Sequence, residues 1–140
     1  DLGFANSKSR LRMVTLYQVA ASQEGIVVGT GNKVEDFGVG FYTKYGDGGV
    51  DISPIADLMK SEVKSLASTL GVDQRIIDAP PTDGLWDDDR TDEAQLGLNY
   101  DELEDAMKNE SSGNKEKYLS IRKNNLHKME PIPVCKIPDS

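Results

Sequence analysis

The sequence predicts an α/β protein, a parallel sheet with flanking helices, of which this chain supplies only part. Three observations carry that expectation. A helical apolar period runs straight into Ile26-Val27-Val28-Gly29, a short β-branched run with the composition of a buried parallel strand. A second helical period, bounded by Pro54 and Gly71, follows a glycine-rich stretch. No other run reads as a strand, and sheets of two or three strands are already marginal in water. The remaining strands are therefore expected from polypeptide outside these 140 residues.

Taken in order, Met13, Leu16, Tyr17, Ala20 and Ala21 fall at i, i+3, i+4, i+7 and i+8, which predicts a helix from Asn6, as N-cap, to about Ser22. Gly25 ends it. After the strand comes a polar turn, Thr30-Gly31-Asn32-Lys33 with Glu35-Asp36, at the edge where ligands of open α/β sheets gather. Gly38, Gly40, Gly46, Gly48 and Gly49 then interleave with Phe41, Tyr42 and Tyr45, implying tight turns or close approach to a ligand. A helix over Asp57–Leu70 presents Met59, Val63, Leu66 and Leu70 on one face, with Gly71 just past its end. A short helical turn follows at Asp73–Ile77, stopped by Pro80-Pro81. Residues 82–98 carry Trp86 among Asp83, Asp87, Asp88, Asp89, Asp92 and Glu93 without apolar period and read as a loop. Asn99 or Tyr100 starts a helix through Met107 that turns Leu103 and Met107 inward. Asn109 to Lys115 is a polar break, Lys117 to about Asn125 is helical, and Pro131-Ile132-Pro133-Val134 is extended.

Sixteen Lys and Arg against 24 Asp and Glu give a net charge of −8. Such a balance repels polyanions and argues against a non-specific nucleic-acid binder. No run approaches the roughly 20 apolar residues that span a bilayer, so no membrane association is expected. Cys135 is the lone cysteine, a small buried or rim residue that fits a reducing, cytoplasmic compartment. There is no Cys/His set at zinc spacing, no G-x-S-x-G and no H-E-x-x-H, which removes structural zinc, hydrolase triads and zincins.

Several residues carry two readings each. Arg10 and Arg12 form either a solvated face or an anion clamp. Thr30 through Glu35 is a capped turn, or a hydroxyl and a carboxylate offered to a nucleotide and its Mg²⁺. Lys44, inside the glycine-rich stretch and followed by Asp47 and Asp51, belongs to a plain turn or reaches a phosphate, although Walker spacing is absent. Lys60 stands in the first turn of a helix, where the macrodipole disfavours a cation, so it is either exposed or matched by an anionic partner. His127, followed by Lys128, is the sole histidine, a structural residue more readily than a catalytic one.

Read as text, Gly29-Thr30-Gly31-Asn32-Lys33-Val34-Glu35-Asp36 and Gly40-Phe41-Tyr42-Thr43-Lys44-Tyr45-Gly46-Asp47-Gly48-Gly49-Val50-Asp51 resemble the ammonia-dependent NAD synthetase family. Asn6 with Arg10-Leu11-Arg12-Met13, the segment Ile55 to Lys60, Pro80-Pro81-Thr82 with Gly84-Leu85-Trp86, Thr91-Asp92-Glu93, and His127-Lys128 with Pro131-Ile132-Pro133 extend the resemblance along nearly the whole chain. It implies the adenine nucleotide α-hydrolase-like fold and a homodimer. The implied reaction amidates deamido-NAD with ammonia at the expense of ATP, with Mg²⁺, through an acyl-adenylate. On the same footing Thr30, Lys60 and Thr82 would bind ATP and Glu35 would bind Mg²⁺. Arg10, Lys44, Asp51, His127 and Lys128 would bind deamido-NAD.

Two departures qualify the resemblance. Residues 36–40 make the stretch between Glu35 and Lys44 one residue longer than the family pattern. The family's pyrophosphate-binding loop, S-G-G-[ILV]-D-S, is absent from the sequence. The chain therefore reads as residues 1–140 of the C-terminal portion of one synthetase domain, inactive by itself. The competing expectation is a non-catalytic nucleotide-binding or dimerisation module.

Overall fold

The computed structural model describes residues 1–88 and 90–137; Asp89, named above in the acidic stretch, lies outside them. Helix α1 spans Leu2–Ser22. Its N-cap is Asp1, whose carboxylate accepts the Phe4 amide at 2.8 Å, not the expected Asn6. Asn6 sits one turn inside the helix, and its side-chain oxygen accepts the Thr43 hydroxyl at 2.7 Å. The buried positions of α1 are Ala5 and Ser9, not the stripe through Leu16, which stays 56% exposed. Hydrogen bonding to the glycine-rich turn decides this. The Ser9 hydroxyl donates to Asp47 at 2.8 Å and accepts the Asp47 amide at 3.0 Å, and burial of such polar groups is tolerated only when they are paired.

The expected strand is extended but isolated. Val28 and Ile52 form one parallel bridge, with the Gly29 amide on the Ile52 carbonyl at 2.7 Å and the Asp51 amide on the Val27 carbonyl at 2.9 Å. Among the described residues this bridge is all the sheet there is. Val27 is buried, whereas Ile26 and Val28 are more than half exposed. A pair of extended segments without further neighbours has nothing to cover its second face, which is why the predicted parallel sheet does not form from this chain.

Val34–Val39 winds as a π-helical turn ended by Gly40, left-handed at φ +65°. Its i→i+5 bonding takes up one more residue per turn than an α-helix would, and π-turns occur mostly as such single-turn insertions. The stretch that the resemblance reads as one residue longer than the family pattern is thus wound as a turn at its start, not as an open loop. Gly40 is required: a Cβ there would lie 2.7 Å from Asn125 Cβ on the facing helix.

Helix α2 spans Lys60–Thr69, shorter at its start than expected, and Gly71 follows at φ +74° in the predicted position. Helix α3 is Gln74–Ile77, capped by Asp73. Inside the expected loop lies a short helix, α4, Asp92–Leu96. The Thr91 hydroxyl accepts the Ala94 amide at 3.1 Å and Gly97 closes the other end; caps, not apolar period, make this turn. Helix α5, Tyr100–Lys108, starts at a reciprocal Asn99/Glu102 capping box. Helix α6, Lys115–Met129, runs past both of its expected ends. The core lies where the π-turn, α5 and α6 meet: Val34, Val39, Leu103 and Ala106 are fully buried, with Leu98 and Tyr118 against them. Cys135 and the extended segment after Pro131 are exposed. Among the described residues no helix is long and apolar enough to cross a membrane.

Candidate functional site

The core has a polar edge, and there the structure joins two of the sequence-predicted residues. Glu35 rides on the π-turn and Lys60 opens α2. Lys60 Nζ donates to Glu35 Oε1 at 3.0 Å, with both side chains largely buried. The cation at a helix start therefore has the anionic partner its position demands. Tyr100, first residue of α5, donates its hydroxyl to the same Glu35 oxygen at 2.6 Å and lays its ring under Lys60 Nζ, 4.7 Å from the centroid. Asp92, first residue of α4, brings Oδ2 to 3.4 Å from the Tyr100 hydroxyl. Its residue is 8% exposed and its Oδ1 is buried with no hydrogen-bond partner.

Charge explains the electrostatics of this corner. Burial, reinforced by repulsion from Glu35 and Asp83, pushes the Asp92 carboxyl up to about 6 against the pull of Lys60 and Tyr100. Burial and the same Glu35 carboxylate raise the Tyr100 phenol far above its ordinary range, so it stays protonated and donates. Asp36, next to Glu35, is likewise raised to about 6 by burial and then by Glu35 and Asp47. Its carboxylate occupies the space a side chain at position 31 would need, so a Cβ there would displace it. The oxygen of Glu35 that accepts no hydrogen bond among the described residues is the kind of hard donor a divalent cation takes.

A second group forms around the glycine-rich turn and the end of α6. Arg10 Nε donates to the Lys44 carbonyl at 3.3 Å, and Lys44 Nζ to the His127 carbonyl at 2.5 Å. Lys128 Nζ donates to the carbonyls of Gly40 and Tyr42 at 2.9 and 2.7 Å, and the Tyr42 hydroxyl returns a bond to the Lys128 carbonyl at 2.5 Å. Burial lowers the Lys128 ammonium from its ordinary value. Arg10, Lys44, His127 and Lys128 are thus brought together, with the His127 side chain turned to solvent.

Asp51 stands apart, its Oδ2 accepting the Val27 amide at 2.7 Å and its Oδ1 the Tyr17 hydroxyl at 3.3 Å. Thr30 and Thr82 are exposed, and the structure brings neither into contact with Lys60 through a hydrogen bond. Between α1, the extended segment and the loop at 83–86 lies a cavity of about 420 Å³, with Thr30, Thr43, Asp47 and Lys128 on its wall. Arg12 and Lys8 strap that loop to α1 through the carbonyls of Asp83, Gly84 and Leu85.

Sequence reasoning missed Tyr100 and the use of Asp92. Nothing local marks them: Glu35, which accepts the Tyr100 hydroxyl, lies 65 positions earlier, and Asp92 reaches that edge through the same hydroxyl.

The Lys60–Glu35 pair at the edge of the core and the cationic group around the glycine-rich turn are residue types that a nucleotide site uses. The family model for NAD synthase matches residues 1–135, and the chain belongs to that family. It is 43% identical to the NH(3)-dependent NAD(+) synthetase of Mesoplasma florum over 91% of this chain and 50% of that protein. Against the Archaeoglobus fulgidus NH(3)-dependent NAD(+) synthetase the identity is 45%, over 96% of this chain and 56% of that protein. The chain thus spans about half the length of the curated relatives it matches. Among solved structures, NMN synthetase from Francisella tularensis superposes with a TM-score of 0.87 at 35% identity, over 95% of this chain and 56% of that one.

Proposed function

We propose that the protein carrying this chain amidates deamido-NAD with ammonia at the expense of ATP, and that residues 1–140 are the C-terminal portion of its single synthetase domain. The pyrophosphate-binding loop and the missing strands would belong to the other portion. Family membership supports this reading over a non-catalytic module. The observation that carries it is the Lys60–Glu35 pair at 3.0 Å.

The chemistry follows from what these groups offer. A carboxylate is a poor electrophile; attack of its oxygen on the α-phosphorus of ATP expels pyrophosphate and leaves an acyl-adenylate. Ammonia then attacks the acyl carbon, and AMP departs with its electron pair. Lys60 spends one N–H on Glu35 and has two left for phosphate oxygens, where charge accumulates in the transition state. Glu35 fixes Lys60 in place, and its other oxygen would be the one left to hold the cation. Mg²⁺, held by Glu35, would neutralise phosphate charge. Arg10, Lys44, Asp51, His127 and Lys128 would hold the dinucleotide, and Thr30 and Thr82 the ATP. A homodimer in the cytoplasm fits the same reading.

In the intact protein, Lys60→Ala should slow pyrophosphate release about 10²-fold or more; unchanged release removes Lys60 from the site. Glu35→Gln should raise the Mg²⁺ requirement, checked by titrating the metal at fixed ATP. Offering the acid dinucleotide and the acid mononucleotide side by side decides whether NAD or NMN is the product. Exclusive NMN formation would overturn the dinucleotide assignment.

A further inference from the structure

Arg10 on α1 and Lys44 on the glycine-rich turn lie on separate elements, and the neighbour of Arg10 is what seats the turn on the helix. Ser9 is 3% exposed; its hydroxyl donates to Asp47 Oδ1 at 2.8 Å and accepts the Asp47 amide at 3.0 Å. The same Asp47 oxygen accepts the Thr43 amide at 2.9 Å, and the Thr43 carbonyl accepts the Gly46 amide at 2.8 Å. One carboxylate thus closes the turn around Lys44, and one hydroxyl anchors it. Asn6 holds the first residue of the turn through the Thr43 hydroxyl at 2.7 Å, which leaves the far end, beyond Lys44, to Ser9. Between those ends Tyr45 is left-handed at φ +63°, a conformation that a residue with a Cβ keeps only where its surroundings over-determine it. The direct bond from Arg10 to the Lys44 carbonyl is exposed and 3.3 Å long, open to competition from water, whereas the two-way Ser9 bond is shorter and screened at its Ser9 end, so it carries more of the restraint. Lys44 spends one N–H on the His127 carbonyl and has two left for a ligand.

We infer that Ser9 is a positioning residue for the dinucleotide: its two-way bond with Asp47 holds the far end of the 43–47 turn on α1, so that Lys44 stands beside Arg10 in one pose before the ligand arrives. The inference rests on the reading of Lys44 as a dinucleotide contact, and the resemblance gives Ser9 no part in the site. Removing the hydroxyl leaves every proposed ligand contact and its charge in place and frees only the turn. The cost therefore falls on binding the dinucleotide, whose contact must now be ordered at the moment of binding, and not on ATP.

The test measures initial rates of the intact protein against deamido-NAD and, separately, against ATP, for the parent, Ser9→Ala, Lys44→Ala and the double variant. A rise of about fivefold or more in KM for deamido-NAD in Ser9→Ala, with KM for ATP unchanged, and a double variant no worse than Lys44→Ala alone, support the inference. A merely structural loss lowers kcat with the folded fraction and leaves both KM values where they were, and that result overturns it. So does an equal rise in both KM values, or a double variant in which the two effects multiply. If Lys44→Ala raises KM for deamido-NAD and Ser9→Ala does not, the inference falls and the reading of Lys44 stands; if Lys44→Ala leaves that KM unchanged, the reading falls and the inference with it. Should Ser9→Ala fail to fold, Ser9→Cys, which keeps the bulk but offers only a weak donor and acceptor, takes its place. The same rise then supports the inference, and a KM equal to the parent's overturns it.

Discussion

The two sides of this molecule are built to different standards of completeness. Around the π-turn, α5 and α6, apolar residues are buried and polar ones are paired: Leu103 and Val34 are 0% exposed, and Glu104 accepts three hydrogen bonds. On α1 and the extended segment, Leu11, Val14, Val28 and Ile52 face outward, the first at 68% exposure. Single exposed apolar residues need no explanation, but these share one helix and one strand pair with nothing against them. The difference teaches that one side of the domain is closed by this chain's own residues, while the other has the apolar pattern of an interior without the layer that would make it one.

Substitutions break or sharpen that comparison. The largest effect is expected at Leu103→Ala, which empties a fully buried site and should cost about 3 kcal/mol in denaturant unfolding. A loss below about 1 kcal/mol would mean that the α5–α6 side is as loose as the other. Next comes Glu104, which caps α2 through the Ser61 amide and hydroxyl at 2.8 and 2.7 Å and also binds Lys108. Burial alone would raise its carboxyl, but the Ser61 bonds and the Lys108 ammonium outweigh it and hold the group below its ordinary range. A folded-state value below the unfolded one stabilises fully above the unfolded value, near 4.3, and the contribution is lost as pH falls through the folded one. Glu104→Ala should therefore cost about 2 kcal/mol at neutral pH and much less at the acid end, read from unfolding midpoints across that range.

Smaller is Gly40→Ala. A left-handed backbone and a Cβ 2.7 Å from Asn125 Cβ should together cost about 1 to 2 kcal/mol, and unaltered stability would show that the π-turn is not held against α6. The smallest effect is expected at Leu11→Ala, within about 0.5 kcal/mol in this chain. In the intact protein the same change should cost several times more if the other portion of the domain covers α1, and an equal cost in both would argue that α1 stays uncovered.

What was legible in the sequence was local. Gly71 past α2, Asp73 and Asn99 near helix starts, and Leu103 facing in all follow from side chains acting within a turn or two of themselves. The lysine at the start of α2 was legible as an anomaly seeking an anion, but which anion it finds was not. Where local signals failed, a distant contact had overridden them. Asn6 caps nothing because Thr43 holds it, α1 buries Ser9 because Asp47 pairs with it, and α4 forms inside an acidic stretch because Thr91 and Gly97 cap a turn too short to show a period.

The sequence by itself determined the family, the presence of the longer helices and the residue types a nucleotide site needs, because each is written in spacing and in side chains read against their own backbone. Only the tertiary structure decided that Glu35, Lys60, Tyr100 and Asp92 share one corner, and that Val34–Val39 winds as a π-turn. Both outcomes depend on packing between segments dozens of residues apart, whose energies no single stretch of the chain contains.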